Sequence, residues 1–205
     1  RRHTRFKCDW SSDVCSSDLH AGEIRTLVDV ATPDVRVWTN VGEAHIGNFG
    51  SSEAIADAKA EILEGATEAS LVIANADDAR VRSRLGAFAG RVVTFGTAED
   101  ADVRAVDVED LGLDGTRASL RTRQGSAEIR VPLLGRGHLQ NVVCAAAVAL
   151  ELGVDLDTIV ARVATLQPSS RRGAIVRLPK GVTIIDDSYN SSPSALKASL
   201  DVVSR

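Results

Sequence analysis

"SLVIANADDARVRSRLGAFAGRVVTFG", residues 70 to 96, decides the fold. A short apolar run (70–78) reads as a strand, "DARVRSRLGAFAG" (78–90) as a helix, and "RVVTFG" (91–96) as a second strand. Strand, helix and strand in alternation predict a parallel α/β sheet. Upstream, "GEIRTLVDVA" (22–31) has Ile24, Leu27, Val28 and Ala31 at helical spacing, and "VRVWTNVG" (35–42) reads as a strand that stops at polar and glycine residues. "SSEAIADAKAEILEGA" (51–66) opens on serine caps and an acidic first turn and keeps a helical period to Gly65.

Downstream the pattern changes. From about 101 to 134, short alternating segments separated by glycines predict antiparallel strands at one edge of the sheet. "GHLQNVVCAAAVALELG" (137–153) is apolar nearly all round beyond its first turn and predicts a buried helix, followed by a second helix, "DLDTIVARVATL" (155–166). Pro168 and "SSRRG" then punctuate the chain, and "AIVRL", "GVTIIDD" and a last helical run begin another α/β unit. The expected architecture is a mostly parallel sheet flanked by helices over residues 20–167, then the first part of a second α/β domain over 168–205.

Composition bounds the function. With 205 residues and 44% hydrophobic content the chain can bury a core. A net charge of -4 leaves no basic stripe for a phosphate backbone, so nucleic acid is not an expected partner. No apolar run reaches the roughly 18 residues of a membrane span. Residues 1–19, "RRHTRFKCDWSSDVCSSDL", differ from the rest: they hold two of the three cysteines, one of the two tryptophans and a repeated Ser-Ser-Asp, with no period. They are expected to be a non-native, adapter-derived and disordered segment; the alternative is a native disordered arm. Removing them leaves 20 Lys+Arg against 25 Asp+Glu, a charge of -5, and only Cys144, which fits a reducing cytoplasm and excludes disulfides.

Ligands of open parallel sheets collect at the carboxyl ends of the strands, and polar clusters follow three apolar segments. In "TNVGEAHIGNFGS" (39–51), His45 is a candidate metal or phosphate ligand, or a loop histidine bonded to backbone. On a helical wheel Lys59 falls with Ile55, Ile62 and Ala66, opposite Asp57, Glu61 and Glu64. Partial burial would raise the neutral fraction of its amine, as attack on CO2 or a carbonyl requires. The alternative is a snorkelling lysine with a packed stem. In "IIDDSYNSSPSALKASL" (184–200), Asp186 and Asp187 can face a cleft, Tyr189 and Asn190 add a ring and an amide suited to a nucleotide, and Ser191 or Ser192 can cap a helix with Pro193 at its first position. His138, Gln140 and Asn141 form a polar tip on the buried helix. No G-x-x-x-x-G-K-[ST] phosphate loop occurs.

"GEIRTLVDVATPDVRVWTNVGEAHIGNFGSSEAIADAKAEI", "GRGHLQNVVCAAAVALELGVD" and "DDSYNSSPSALKASL" together resemble the Mur ligase family, over about residues 20 to 205. The resemblance implies the central ATPase domain, incomplete, and an ATP-dependent amide ligase using Mg2+. Its Asp-Ser-Tyr-Asn-x-x-Pro form points to the member that joins D-alanyl-D-alanine to UDP-N-acetylmuramoyl-tripeptide in peptidoglycan precursor synthesis, a cytoplasmic monomer. It implies that His45 binds magnesium and that Lys59 becomes carbamylated to help hold a second magnesium. It also implies that Asn141 contacts the adenine, that Arg172 lies near ribose and phosphates, and that Asp187, Tyr189 and Asn190 face the nucleotide. Relatives carry asparagine where this chain has His138, and have a phosphate loop, a Glu-Met-Gly segment and further domains with no counterpart here, so no ATP turnover is expected of the chain as written. Another Mur ligase, a folylpolyglutamate synthetase and a catalytically silent nucleotide-binding module are the alternatives.

Overall fold

The computed structural model describes residues 20–42, 46–189, 196–197 and 199–201. The segment 1–19, His45 and Asn190 lie outside them. Six strands form one sheet in chain order: β1 (Val35–Trp38), β2 (Leu71–Asn75), β3 (Arg91–Gly96), β4 (Val103–Asp110), β5 (Thr116–Thr122) and β6 (Gly125–Val131). β1 to β4 pair parallel, with Leu71 opposite both Val35 and Arg91, and β4 to β6 pair antiparallel. β7 (Ala174–Arg177) and β8 (Thr183–Asp186) form a separate antiparallel pair.

The helices are α1 (Glu23–Ala31), α2 (Ile46–Phe49), α3 (Ser52–Ala60), α4 (Ala79–Arg82), α5 (Arg136–Glu151) and α6 (Leu156–Val163). β2 explains the layering, because all five of its residues are buried. Leu71 and Ile73 join the core that α5 and α6 cover, through Leu139, Val142, Val143, Ala146, Ile159 and Val163. Val72 and Ala74 face the opposite side and pack with Trp38 and Val81, backed by Ile62, Leu63, Leu85 and Phe88. A strand covered on both faces reads as an unbroken apolar run, and this one does. β5 and β6 instead alternate, burying Ala118, Leu120, Ile129 and Val131 under α5 and α6.

Two local expectations differ. The helix predicted over 78–90 is a single turn, α4, followed by a short 3-10 turn at Leu85–Ala87. Gly86 sits inside that turn and Gly90 follows it, and glycine disfavours helix propagation. The helix predicted to Gly65 ends at Ala60 and tightens into a 3-10 turn over Glu61–Leu63. Glu61, the first residue of that turn, is 5% exposed instead of facing solvent, because the N-terminus of α1 lies over it.

There its carboxylate accepts the backbone N–H of Gly22 at 2.7 Å and of Arg25 at 3.0 Å. The N-cap of α1 is glycine and supplies no side-chain acceptor, so an acid nearly forty residues away does so, placed at the positive end of the helix dipole. Arg25 and Glu64 clamp the same junction through two hydrogen bonds. Replacing Glu61 by Ala strands two amides in a region that water reaches poorly. The expected loss is about 2–3 kcal/mol of unfolding free energy, read as a lower urea midpoint with unchanged slope, while Glu61→Gln loses less. An unshifted midpoint for Glu61→Ala would show that the two amides do not depend on it.

Candidate functional site

The carboxyl ends of β1, β2 and β3 are drawn together by "NADD", Asn75 to Asp78, at the end of β2. Asn75 is buried, and its Oδ1 accepts from the Asp77 amide at 2.8 Å, fixing the turn. Asp77 reaches toward β3 and accepts from the amides of Thr97 and Ala98 and from Thr97 Oγ1. It also accepts from Gln140 Nε2 of α5 at 3.4 Å. Asp78 turns the other way. Its Oδ2 accepts from the Val41 amide at 2.7 Å, while Oδ1 caps α4 through the amides of Arg80 and Val81.

Sequence reasoning treated NADD only as the end of a strand. The available signal was a helix-capping aspartate followed by a helix start, which marks a backbone-binding acid.

β3 reaches Asp77 because its last residue is glycine. Gly96 has φ +150°, and a β-carbon there would lie 2.6 Å from Asp77 Oδ1.

These loops support one wall of a cleft of about 600 Å³, lined among others by Asn40, Asp110, His138, Asn141, Arg172 and Asp187. The first two turns of α5 bring His138 and Asn141. The segments on either side of β7 and β8 bring Arg172 and Asp187. Thus Asn141, Arg172 and Asp187, separated by up to 46 residues, converge in space (187 − 141 = 46). The Arg172 guanidinium lies over the Tyr189 ring, 4.0 Å from its centroid, so Tyr189 adjoins the cleft through Arg172. Asp187 Oδ2 accepts from Ser199 Oγ at 2.8 Å.

Asp186 differs from its neighbour. Its carboxylate accepts from the hydroxyl and amide of Ser188, and these hydrogen bonds hold it below the usual carboxylate range. It shapes a turn while Asp187 faces the cleft. Burial pushes the His138 imidazole below its ordinary pKa, Asp187 opposes that shift, and Arg172 adds to it.

Lys59 is half-buried near the end of α3, one turn after the buried Ile55, and is not among the residues lining this cleft. His45 and Asn190 lie outside the described residues, so the expected convergence of Lys59 with His45 does too. Among the described residues no group of three or more His, Cys, Asp or Glu forms a metal site. A second depression of about 720 Å³ beside Asp57, Glu64 and Arg84 is wide and shallow. Its guanidinium is engaged by Asp57 and Glu53, which suits a surface ion-pair network better than a ligand site. Burial lifts the Cys144 thiol to about 11, leaving it unreactive.

A parallel sheet with a polar cleft at its carboxyl edge, closed by a helix N-terminus and an arginine, defines an α/β ligand-binding protein. The chain belongs to the Mur ligase family, since residues 14–149 match the Mur ligase middle domain. It is 37% identical over 185 residues to the UDP-N-acetylmuramoyl-tripeptide--D-alanyl-D-alanine ligase of Mycobacterium tuberculosis, covering 90% of this chain and 36% of that protein. Among solved structures it is similar to MurF from Acinetobacter baumannii, with TM-score 0.83 and 31% identity, covering 90% of this chain and 40% of that one. It also resembles MurF ligase from Thermotoga maritima in complex with ADP, with TM-score 0.80 and 29% identity over 92% of this chain and 43% of that one. The chain therefore spans about two fifths of the length of the relatives it matches.

Gly96→Ala is expected to push the Asp77 carboxylate from its amides and to cost about 1–3 kcal/mol. Faster hydrogen exchange at Thr97 and Ala98, with β2 protection retained, would be the local signature. Unchanged exchange at those two amides would argue against the clash.

Proposed function

We propose that this chain is the nucleotide-binding portion of an ATP-dependent amide ligase. In that reading the protein joins D-alanyl-D-alanine to UDP-N-acetylmuramoyl-tripeptide, as the names of its relatives describe, and does so in the cytoplasm. The terminal phosphoryl group of ATP passes to the peptide carboxylate. The amine of D-alanyl-D-alanine then attacks the acyl phosphate carbon, and the tetrahedral adduct collapses to amide and phosphate. The unit from residue 168 onward is the first part of the ligase's C-terminal domain.

The single observation that carries this reading is the meeting of Asn141, Arg172 and Asp187 in one cleft. Arg172 supplies a cation for phosphate oxygens, and Asn141 presents an amide with both donor and acceptor to a base. Asp187 accepts hydrogen bonds of the kind ribose hydroxyls offer. Tyr189 holds the guanidinium plane, and Asn190 belongs to the same loop in sequence. The ADP bound in the Thermotoga maritima relative supports the same class of ligand.

Magnesium stands differently. A lysine ammonium repels a dication, so Lys59 suits a metal only once carbamylated, when its new carboxylate and the His45 imidazole would be the ligands. Bound there, magnesium would offset charge on the phosphates.

Two measurements test the proposal. The purified chain should bind ADP in calorimetry, and Asn141→Ala or Arg172→Ala should weaken that binding about tenfold, equivalent to about 1.4 kcal/mol. No binding by the unaltered chain would sink the nucleotide reading. With 13C-labelled bicarbonate, the unaltered chain should show a carbamate carbon resonance that Lys59→Ala lacks; its absence from both would remove Lys59 from the metal site. In the complete ligase, incorporation of D-alanyl-D-alanine over single amino acids separates this member from other Mur ligases and from folylpolyglutamate synthetase.

A further inference from the structure

His138 is the third residue of α5 and sits half-buried in the lining of the cleft. Its Nε2 lies 3.8 Å from where a β-carbon on Gly173 would be, and Gly173 itself has φ +72°. A β-carbon at 173 would stand at ordinary van der Waals distance from the imidazole, so the segment entering β7 passes close beside it. Charged groups face it from both flanks of the β7–β8 unit: Arg172 before β7 and Asp187 after β8 both act on its charge. Asp110 from the end of β4, Asp201 from the last described helical turn and Arg136 from its own helix line the same cleft. Asn141, one turn further along α5, is in the set that receives the ligand, whereas no role follows for His138 from the family resemblance.

Asp187 is the group through which His138 can act. One carboxylate oxygen accepts from Ser199 at 2.8 Å, and a carboxylate has lone pairs for several more donors. We propose that His138 is a positioning residue for Asp187: as a neutral imidazole it leaves the carboxylate available to a bound ligand, and as an imidazolium it pairs with that carboxylate and withdraws it. The consequence for ligand rests on the nucleotide reading above. The link between the two side chains does not.

The sign follows from the surroundings. Burial and Arg172 both disfavour the imidazolium, so His138 is neutral at pH 7 and gains its proton only below the ordinary histidine range near 6.5. Affinity is therefore level above about pH 6.5 and falls as acid charges the ring, by at most about tenfold per pH unit for one proton.

The experiment has two arms. NMR titration of the His138 ring in the unliganded chain should give a midpoint below 6.5, lowered further by Asp187→Asn and raised by Arg172→Ala. ADP affinity, measured by calorimetry from pH 5 to 8 for the unaltered chain and for His138→Asn, should give a ratio that declines with acid; taking the ratio cancels protonation of ADP itself. Circular dichroism at each pH checks that both proteins stay folded. A ring titration indifferent to Asp187→Asn overturns the proposal, and so does a pH-independent affinity ratio, which leaves the nucleotide reading standing. No ADP binding by the unaltered chain, with the ring titration still responding to both variants, overturns the nucleotide reading and leaves the His138–Asp187 link established.

Discussion

Two consecutive carboxylates, Asp77 and Asp78, fix the edge of the sheet beside which the cleft lies. Strands end there, so their backbone amides lose the partners that the ladder supplies, and each must find another acceptor. The turn that Asn75 fixes sends the two side chains in different directions. Asp77 therefore serves the loop after β3 and the tip of α5, and Asp78 serves the loop after β1 and the start of α4. One dipeptide at the end of the most buried strand thereby sets the relative heights of four segments.

The sheet alone does not accomplish this. β2 is held rigidly because both its faces are covered, but a covered strand fixes only its own residues. α5 adds the second constraint. Its sixteen residues span about 24 Å at 1.5 Å per residue, and its buried body anchors a polar first turn at the carboxyl edge. A long apolar rod with a polar cluster at its start, and Glu151 at its far end paired with Arg91 of β3, has one stable way to lie on the sheet. That orientation presents His138 and Asn141 to the cleft, and the Gln140 contact with Asp77 locks its rotation.

Most of the fold was legible in sequence because its signals are local. The run at 71–75, the alternating segments of β4 to β6 and the apolar body of α5 each carry their period in the residues themselves. The cleft was legible only in parts: Asn141 and Asp187 were marked out by type and by family resemblance, Arg172 by resemblance alone, and their convergence is a product of chain crossing that no window of sequence contains. What escaped notice has a common physical origin. Glu61, Asp77 and Asp78 are charged residues whose partners are backbone amides 20 to 39 positions away, and backbone donors leave no trace in side-chain patterns. The helical wheel placed Glu61 outside because it sees one helix alone, whereas the N-terminus of α1 covers the turn into which α3 tightens.

That tightening bears on Lys59. A lysine near the end of a helix has a long flexible stem, and its position is only as definite as the last turn that carries it. Here the next turn is a 3-10 segment whose first residue, Glu61, is held by two amides of α1, and whose neighbour Glu64 is clamped to Arg25. The end of α3 is thus tied to α1 by a buried acid two residues beyond Lys59. A carboxylate that receives two backbone N–H groups at a helix N-terminus is held in a fixed direction, so it resists rotation of the turn in a way an apolar contact would not. The half-buried setting of Lys59 is inherited from that hold: the residue with candidate chemistry is placed by an acid whose own role is structural.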